Sequence, residues 1–231
     1  MLLWLAVVIF PSALLASAQV VNPRAKAGAS PLVLPRPGAP LSLEQIEERS
    51  RNAGEGASNV EVIDSEVYRD SEGRLRITTK TTDSSGGSAS IRTILVDPVA
   101  GSTVLLVDAA KTAYRMPGAK GDAVMGGRVI ADEELPPSIK WTVSTEDTDN
   151  QNIEGIVFHG TRITQAANGN PALKYTVERW YSDDLKLTGA EVATGPNGKH
   201  TARVKDVHMG EPDPALFVVP ADYKVVELKL P

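Results

Sequence analysis

The chain contains no cysteine and three histidines, and aromatic residues make up 5% of its 231 positions. Without thiols it has no disulfide framework, thiolate metal site, iron–sulfur cluster or cysteine nucleophile, and no lipid attachment through an N-terminal Cys. His159, His200 and His208 form no H-x-x-x-H, H-x-H or H-E-x-x-H spacing, so no single element offers a pair of metal-binding imidazoles. Basic excess is also missing. A formal charge of -5 excludes the basic face that a constitutive nucleic-acid binder needs.

Catalytic signatures are equally scarce. No G-x-S-x-G elbow occurs, and Gly86-Gly87 and Gly126-Gly127 lack the Lys-Ser/Thr of a phosphate-binding loop. Seven of the fourteen aspartates (Asp70, Asp83, Asp97, Asp183, Asp184, Asp213, Asp222) fall in turn-like sequence, and nothing selects two of the acids as a pair facing one cleft. Asp147 to Asn152 is rich in oxygen ligands but has neither the EF-hand glycine nor a Glu at the twelfth position. The expectation is a protein without catalytic residues, metal or cofactor.

Leu2 to Leu15 is almost wholly apolar and leads into Ala16-Ser17-Ala18, small residues at the positions a signal peptidase reads. Residues 1–18 are expected to be a signal peptide cleaved before Gln19, although no Lys or Arg precedes the apolar run. That run is too short to span a bilayer, which takes about 20 residues. The expected product is periplasmic or secreted, with no integral membrane segment after cleavage.

Gln19 to Pro40 carries five prolines, each removing a donor and holding its predecessor extended, and reads as a linker. Leu41 to Arg49 follows. Ser42 and Gln45 have capping-box spacing, and Leu43 and Ile46 give a short apolar stripe, so one short helix is expected before about Ala57.

From Ser58 the apolar period shortens to two. Arg74 to Lys80, Ile91 to Val96, Thr103 to Val107, Thr112 to Met116, Ile139 to Ser144, Ile156 to Thr164, Leu173 to Tyr181, Leu187 to Thr194 and Thr201 to His208 read as strands, and Val225 to Leu230 closes the set. Turn residues separate them, as in Asp70-Ser71-Glu72-Gly73, Asn168-Gly169-Asn170-Pro171 and Gly195-Pro196-Asn197-Gly198. Short strands joined by short turns make an antiparallel meander, and about ten strands exceed what a flat sheet carries well. The expected domain, 58–231, is therefore mainly β: one curled antiparallel sheet, interrupted by an irregular insertion at 117–138.

Two stretches stand out. In Val177 to Ser182, Trp180 shares a strand face with Glu178, and Arg179 with Tyr181. In Gly210 to Tyr223, Asp213 caps a turn with Pro214 at its first position, driving Leu216 and Phe217 inward. With Tyr68 to Arg74 and Asp97 to Gly101, these stretches resemble an uncharacterised family of secreted proteins of acidobacterial type. The pattern is Glu178-Arg179-Trp180-Tyr181-Ser182, then Glu211-Pro212-Asp213-Pro214 with Leu216-Phe217, Pro220 and Asp222-Tyr223, within a match from Tyr68 to Val226.

More distantly, the meander and the closing Leu216-Phe217-Val218-Val219-Pro220 are similar to the lipoprotein-carrier-like superfamily (LolA, LolB and RseB-like proteins). That resemblance implies an incomplete β-barrel whose concavity takes a lipid or acyl chain. Leu95, Leu105, Val107, Met116, Trp141, Phe158, Tyr175 and Trp180 are then the candidate lining residues. The missing cysteine departs from the lipidated members. The RseB-like side of the resemblance implies instead an envelope protein partner and a sensing role. A hydrolase with a non-standard site is the third reading, and it needs His159, His200 or His208 to meet acids in a cleft.

Overall fold

The computed structural model describes residues 32–53, 57–83, 90–117, 140–196 and 198–228. The expected signal peptide, the first part of the Pro-rich stretch, the Ser84 to Gly87 turn and residues 118–138 of the insertion lie outside the described residues.

Twelve strands make one sheet: β1 (Leu41–Ala53), β2 (Ala57–Arg69), β3 (Leu75–Asp83), β4 (Ser90–Asp97), β5 (Ser102–Val107), β6 (Thr112–Pro117), β7 (Trp141–Ile153), β8 (Ile156–Ala167), β9 (Asn170–Ser182), β10 (Leu187–Gly195), β11 (Gly198–Met209) and β12 (Lys224–Glu227). The order across the sheet is β12-β6-β5-β4-β3-β2-β1-β11-β10-β9-β8-β7, so it is open, with β12 and β7 at its edges. Every neighbouring pair is antiparallel except β12 on β6.

The expected short helix is instead strand β1, near the middle of the sheet and paired along its whole length with β2, from Leu41↔Arg69 to Ala53↔Ala57. Leu41, Leu43, Gln45 and Glu47 are all buried and alternate with more exposed Ser42, Glu44, Ile46 and Glu48. That is a period of two, and pairing on both sides outweighs a capping-box spacing that no helix uses. The expectation of about ten strands falls short for the same reason at β1 and for a related one at β2. On β2 the buried face carries Ser65 and Arg69 beside Ile63 and Val67, which blurs the apolar alternation.

The Pro-rich stretch, expected to be a linker throughout, is part of the fold from Leu32 to Pro40. Leu32 and Val33 are buried in the main core with Leu41, Leu43, Val67, Leu75, Val96, Leu187 and Val204. Val33 bridges Leu187, and the Thr188 amide donates to the Leu32 carbonyl at 2.8 Å, where β10 no longer pairs with β11. The segment thus occupies a gap in the ladder, and its prolines spare it donors that nothing there would accept. At Gly73 the chain takes φ +83, and an added Cβ would lie 2.7 Å from the Arg36 carbonyl carbon, so only glycine lets the β2–β3 turn approach this segment.

Arg69 fastens the segment. Its fully buried side chain donates to the carbonyls of Leu34 and Ala39 in the Pro-rich segment, and to those of Leu185 and Lys186 before β10. Burial pulls its pKa down to about 10, which leaves the guanidinium charged at neutral pH.

A second, smaller core lies on the opposite face of β4–β6, where Leu95, Val104, Leu106 and Ala113 are covered by Val219 and Tyr223 of the C-terminal segment. Asp213 caps its 3-10 turn, Pro214–Phe217, by accepting from the Ala215 amide, as the sequence predicts. Arg76 donates to the Leu216 carbonyl, and Arg74 stacks on Phe217 at 5.4 Å.

Gly189, in the β10 bulge, sets a limit on packing. A Cβ there would meet three ring carbons of fully buried Phe158 at 2.8–2.9 Å. Gly189→Ala should lower stability by about 1–3 kcal/mol, the usual range for overpacking. A urea midpoint equal to wild type would show that the Phe158 ring has room to move.

Candidate functional site

Pairing register assigns each side chain to one of two faces. Leu41, Leu43, Gln45 and Glu47 define the first. Ile46, Glu48, Trp180, Ala190, Val192, Thr201 and Arg203 fall on the second.

On the second face these residues and Gln151 surround a cleft of about 330 Å³. Its apolar floor is Ile46, Ala190, Val192, Ala202 and the Trp180 indole, and its polar lining is Glu48, Gln151, Glu191, Thr201 and Arg203. A register shift in β7 between Thr148 and Gln151 brings this edge strand to the floor, and Trp180 Nε1 donates to the Asp149 carbonyl at 3.0 Å. A bonded indole nitrogen removes the desolvation cost of lining an apolar cleft with Trp. The volume lies at the small end of ligand sites, which run from roughly 300 to 1,000 Å³.

Beneath that floor, on the first face, is a buried polar network. Glu47 accepts from Gln45 Nε2, from Arg49 Nη2 at 3.0 Å and from His200 Nε2 at 3.2 Å, with the imidazole as donor. His200 Nδ1 lies 3.8 Å from Glu191 Oε1, and Glu191 Oε2 accepts from Arg179 Nε and Nη2 at 2.8 and 2.5 Å. Glu47 and Glu191 are 0% and 1% exposed, and Arg49 and Arg179 are their respective ion-pair partners. Burial also pushes the Tyr181 phenol, on the same face, above its ordinary pKa.

The candidate lining residues separate into groups. Trp180 lines the cleft, and Phe158 is packed solid against Gly189. Leu105, Val107 and Met116 share the first face of β5–β6, half-buried or exposed, whereas Leu95 lies on the second face under the C-terminal segment. Trp141 and Tyr175 stack at 5.8 Å on the first face of the other flank. Seven strand steps separate β5 from β9, about 34 Å along the sheet at ~4.8 Å per step.

Of the histidines, His159 and His208 are exposed and only His200 meets acids. No hydroxyl among the described residues is bonded to it, and no three His, Cys, Asp or Glu side chains among them are arranged to hold a metal ion. The sequence reading missed this network. Its signal is a period of two that runs from Leu41 and Leu43 into Gln45 and Glu47, where polar residues take over the buried positions.

The fold and this site define an open, curled antiparallel sheet with a polar centre and an apolar cleft. No family model matches the chain, and no curated protein matches it. Solved structures do. The chain is similar to MucB in the Pseudomonas aeruginosa MucA/MucB complex, with 14% identity, TM-score 0.41, and 82% of this chain against 58% of that one. A second MucB structure gives 12% identity, TM-score 0.42, and 84% against 62%. A LolA-superfamily protein of Nitrosomonas europaea gives 9% identity, TM-score 0.36, and 81% against 92%. The chain therefore spans about three fifths of the MucB structures it matches. The distant LolA/RseB-like resemblance is a likeness of fold.

Proposed function

We propose that the protein is an exported, periplasmic, non-catalytic binder of a lipid or other hydrophobic ligand, and that the ligand's apolar part sits in the Trp180 cleft. The cleft itself carries this reading: five of its ten lining residues, Ile46, Trp180, Ala190, Val192 and Ala202, are apolar. Burying one acyl segment there removes apolar area from water at about 25 cal/mol per Å², without any chemistry. Leu105, Val107 and Met116 lie on the opposite face of the sheet and do not share that ligand.

The test uses a brominated fatty acid, which quenches nearby tryptophan emission. Saturable quenching is expected, and the cleft-filling variant A190L/V192F should bind at least tenfold more weakly with its urea midpoint little changed. Protein purified from the envelope should also carry a lipid mass in native mass spectrometry. Absence of saturable quenching, or equal quenching in the filled variant, would sink the proposal.

A further inference from the structure

An open sheet has two edges, and here they are unlike. β12 offers four residues. β7 offers thirteen, from Trp141 to Ile153, and among the described residues it has a neighbouring strand on one side only. Proteins usually blunt such an edge with Lys, Pro, shortness or a covering element, because its free N–H and C=O groups template a further strand. β7 contains no Pro, Lys or Arg. Its ladder with β8 runs unbroken from Trp141↔Ala167 to Thr148↔Gly160 before the register shift.

What the edge does carry is acid: Glu146, Asp147 and Asp149. Glu146 is paired with Arg162 at 2.8 Å, while the carboxylates of Asp147 and Asp149 have no ion pair among the described residues. This charge decides between occupants. A second copy adding its own β7 antiparallel about Asp147 would set Asp147 against Asp147, and centring one half-step away sets Asp147 against Glu146. Like charges directly opposed in a ladder are destabilising. A basic strand meets the opposite situation.

We propose that the Trp141–Thr148 edge of β7 is a docking site for an extended, basic segment of a partner protein, which joins the sheet as an added strand. Backbone hydrogen bonds supply affinity, and alternate side chains supply selection. Val143, 54% exposed, and Asp147 share one face, four residues apart. The matching segment therefore carries an apolar residue beside Val143 and Lys or Arg beside Asp147. The proposal does not depend on the Trp180 cleft holding a ligand.

The test is fluorescence anisotropy with a labelled threonine decapeptide carrying valine at position 3 and lysine at position 7, four apart and so on one strand face, against the same peptide with glutamate for lysine. The basic peptide should bind saturably, at least tenfold tighter than the acidic one. Ser144→Pro and Thr145→Pro form the second arm. Successive N–H groups point to opposite edges, so one of the two prolines removes only an outward donor and leaves the thermal midpoint unchanged. That tolerated variant should lose at least tenfold in peptide affinity, and Asp147→Lys should lose the preference for the basic peptide. Binding untouched by the tolerated proline would mean surface charge alone and overturn the proposal. Equal binding of both peptides, no saturable binding, or a β7-dependent dimer in sedimentation would do the same.

Discussion

Arg69→Met should remove about 3–5 kcal/mol of stability, a large share of the roughly 5–15 kcal/mol that holds a domain folded. The guanidinium answers four carbonyls from two segments that do not otherwise pair along their length: Leu34 and Ala39 on one side, Leu185 and Lys186 on the other. Each carbonyl left buried and unpaired costs about 1–3 kcal/mol, and only some of the four can turn to water. At about 2–4 °C per kcal/mol for a domain of this size, the thermal midpoint should fall by roughly 10 °C. Arg69→Lys should recover less than half of this, since an ammonium cannot present a planar fork to four acceptors. Urea unfolding of the three proteins checks it. A change below about 1 kcal/mol in Arg69→Met would mean that the Pro-rich segment is held by the burial of Leu32 and Val33 alone.

Glu47→Ala should be nearly as damaging, at about 3 kcal/mol or more, because it strands the Gln45 amide and the His200 imidazole and leaves Arg49 with Glu61 at 3.6 Å. The informative comparison is an ion pair of similar geometry in a different medium. Glu44 and Lys205 meet at 2.7 Å, but their side chains are 48% and 40% exposed. Water competes for both charges there, so Glu44→Ala should leave the urea midpoint unchanged. Equal effects from the two substitutions would show that the Glu47 network is solvated and not a buried compensated cluster.

These two predictions also mark where the sequence was readable. Strands β3 to β11 announce themselves through β-branched alternation and turn residues, because apolar residues hold most of their buried positions, Thr93, Gln165, Ser182, Thr188 and Glu191 excepted. Asp213 and Pro214 likewise announce the C-terminal turn, whose capping needs no distant partner. β1 and β2 are harder, since Gln45, Glu47, Ser65 and Arg69 occupy inward positions that a hydrophobic period cannot see. Each has a partner more than ten residues away, as Lys186 is for Arg69 and His200 for Glu47. The Pro-rich segment misleads for the same reason. Its composition says linker, and its place in the fold is set by a gap between β10 and β11 that no local signal reports. Within the candidate site, Trp180 stood out in the sequence by its size and its place on a strand, whereas the face it presents and the polar network under it did not.

The strand order has a consequence for how the molecule comes together. Strands β1 to β6 are consecutive neighbours, and so are β7 to β11, so each run assembles from local hairpins. A single ladder, β1 on β11, sutures the two halves, joining Leu41 to Met209 and Arg51 to Gly198. Closing that seam spans most of the chain and carries the highest loop-closure entropy in the fold. The two half-sheets are therefore the fast events and the seam the slow one. Until β11 is available, β1 stands as an unpaired edge with Glu47 and Gln45 still in water. The buried network crosses that seam through His200, whose imidazole reaches Glu47 only when the two halves meet in register, whereas Arg49 and Arg179 reach their acids within one half each.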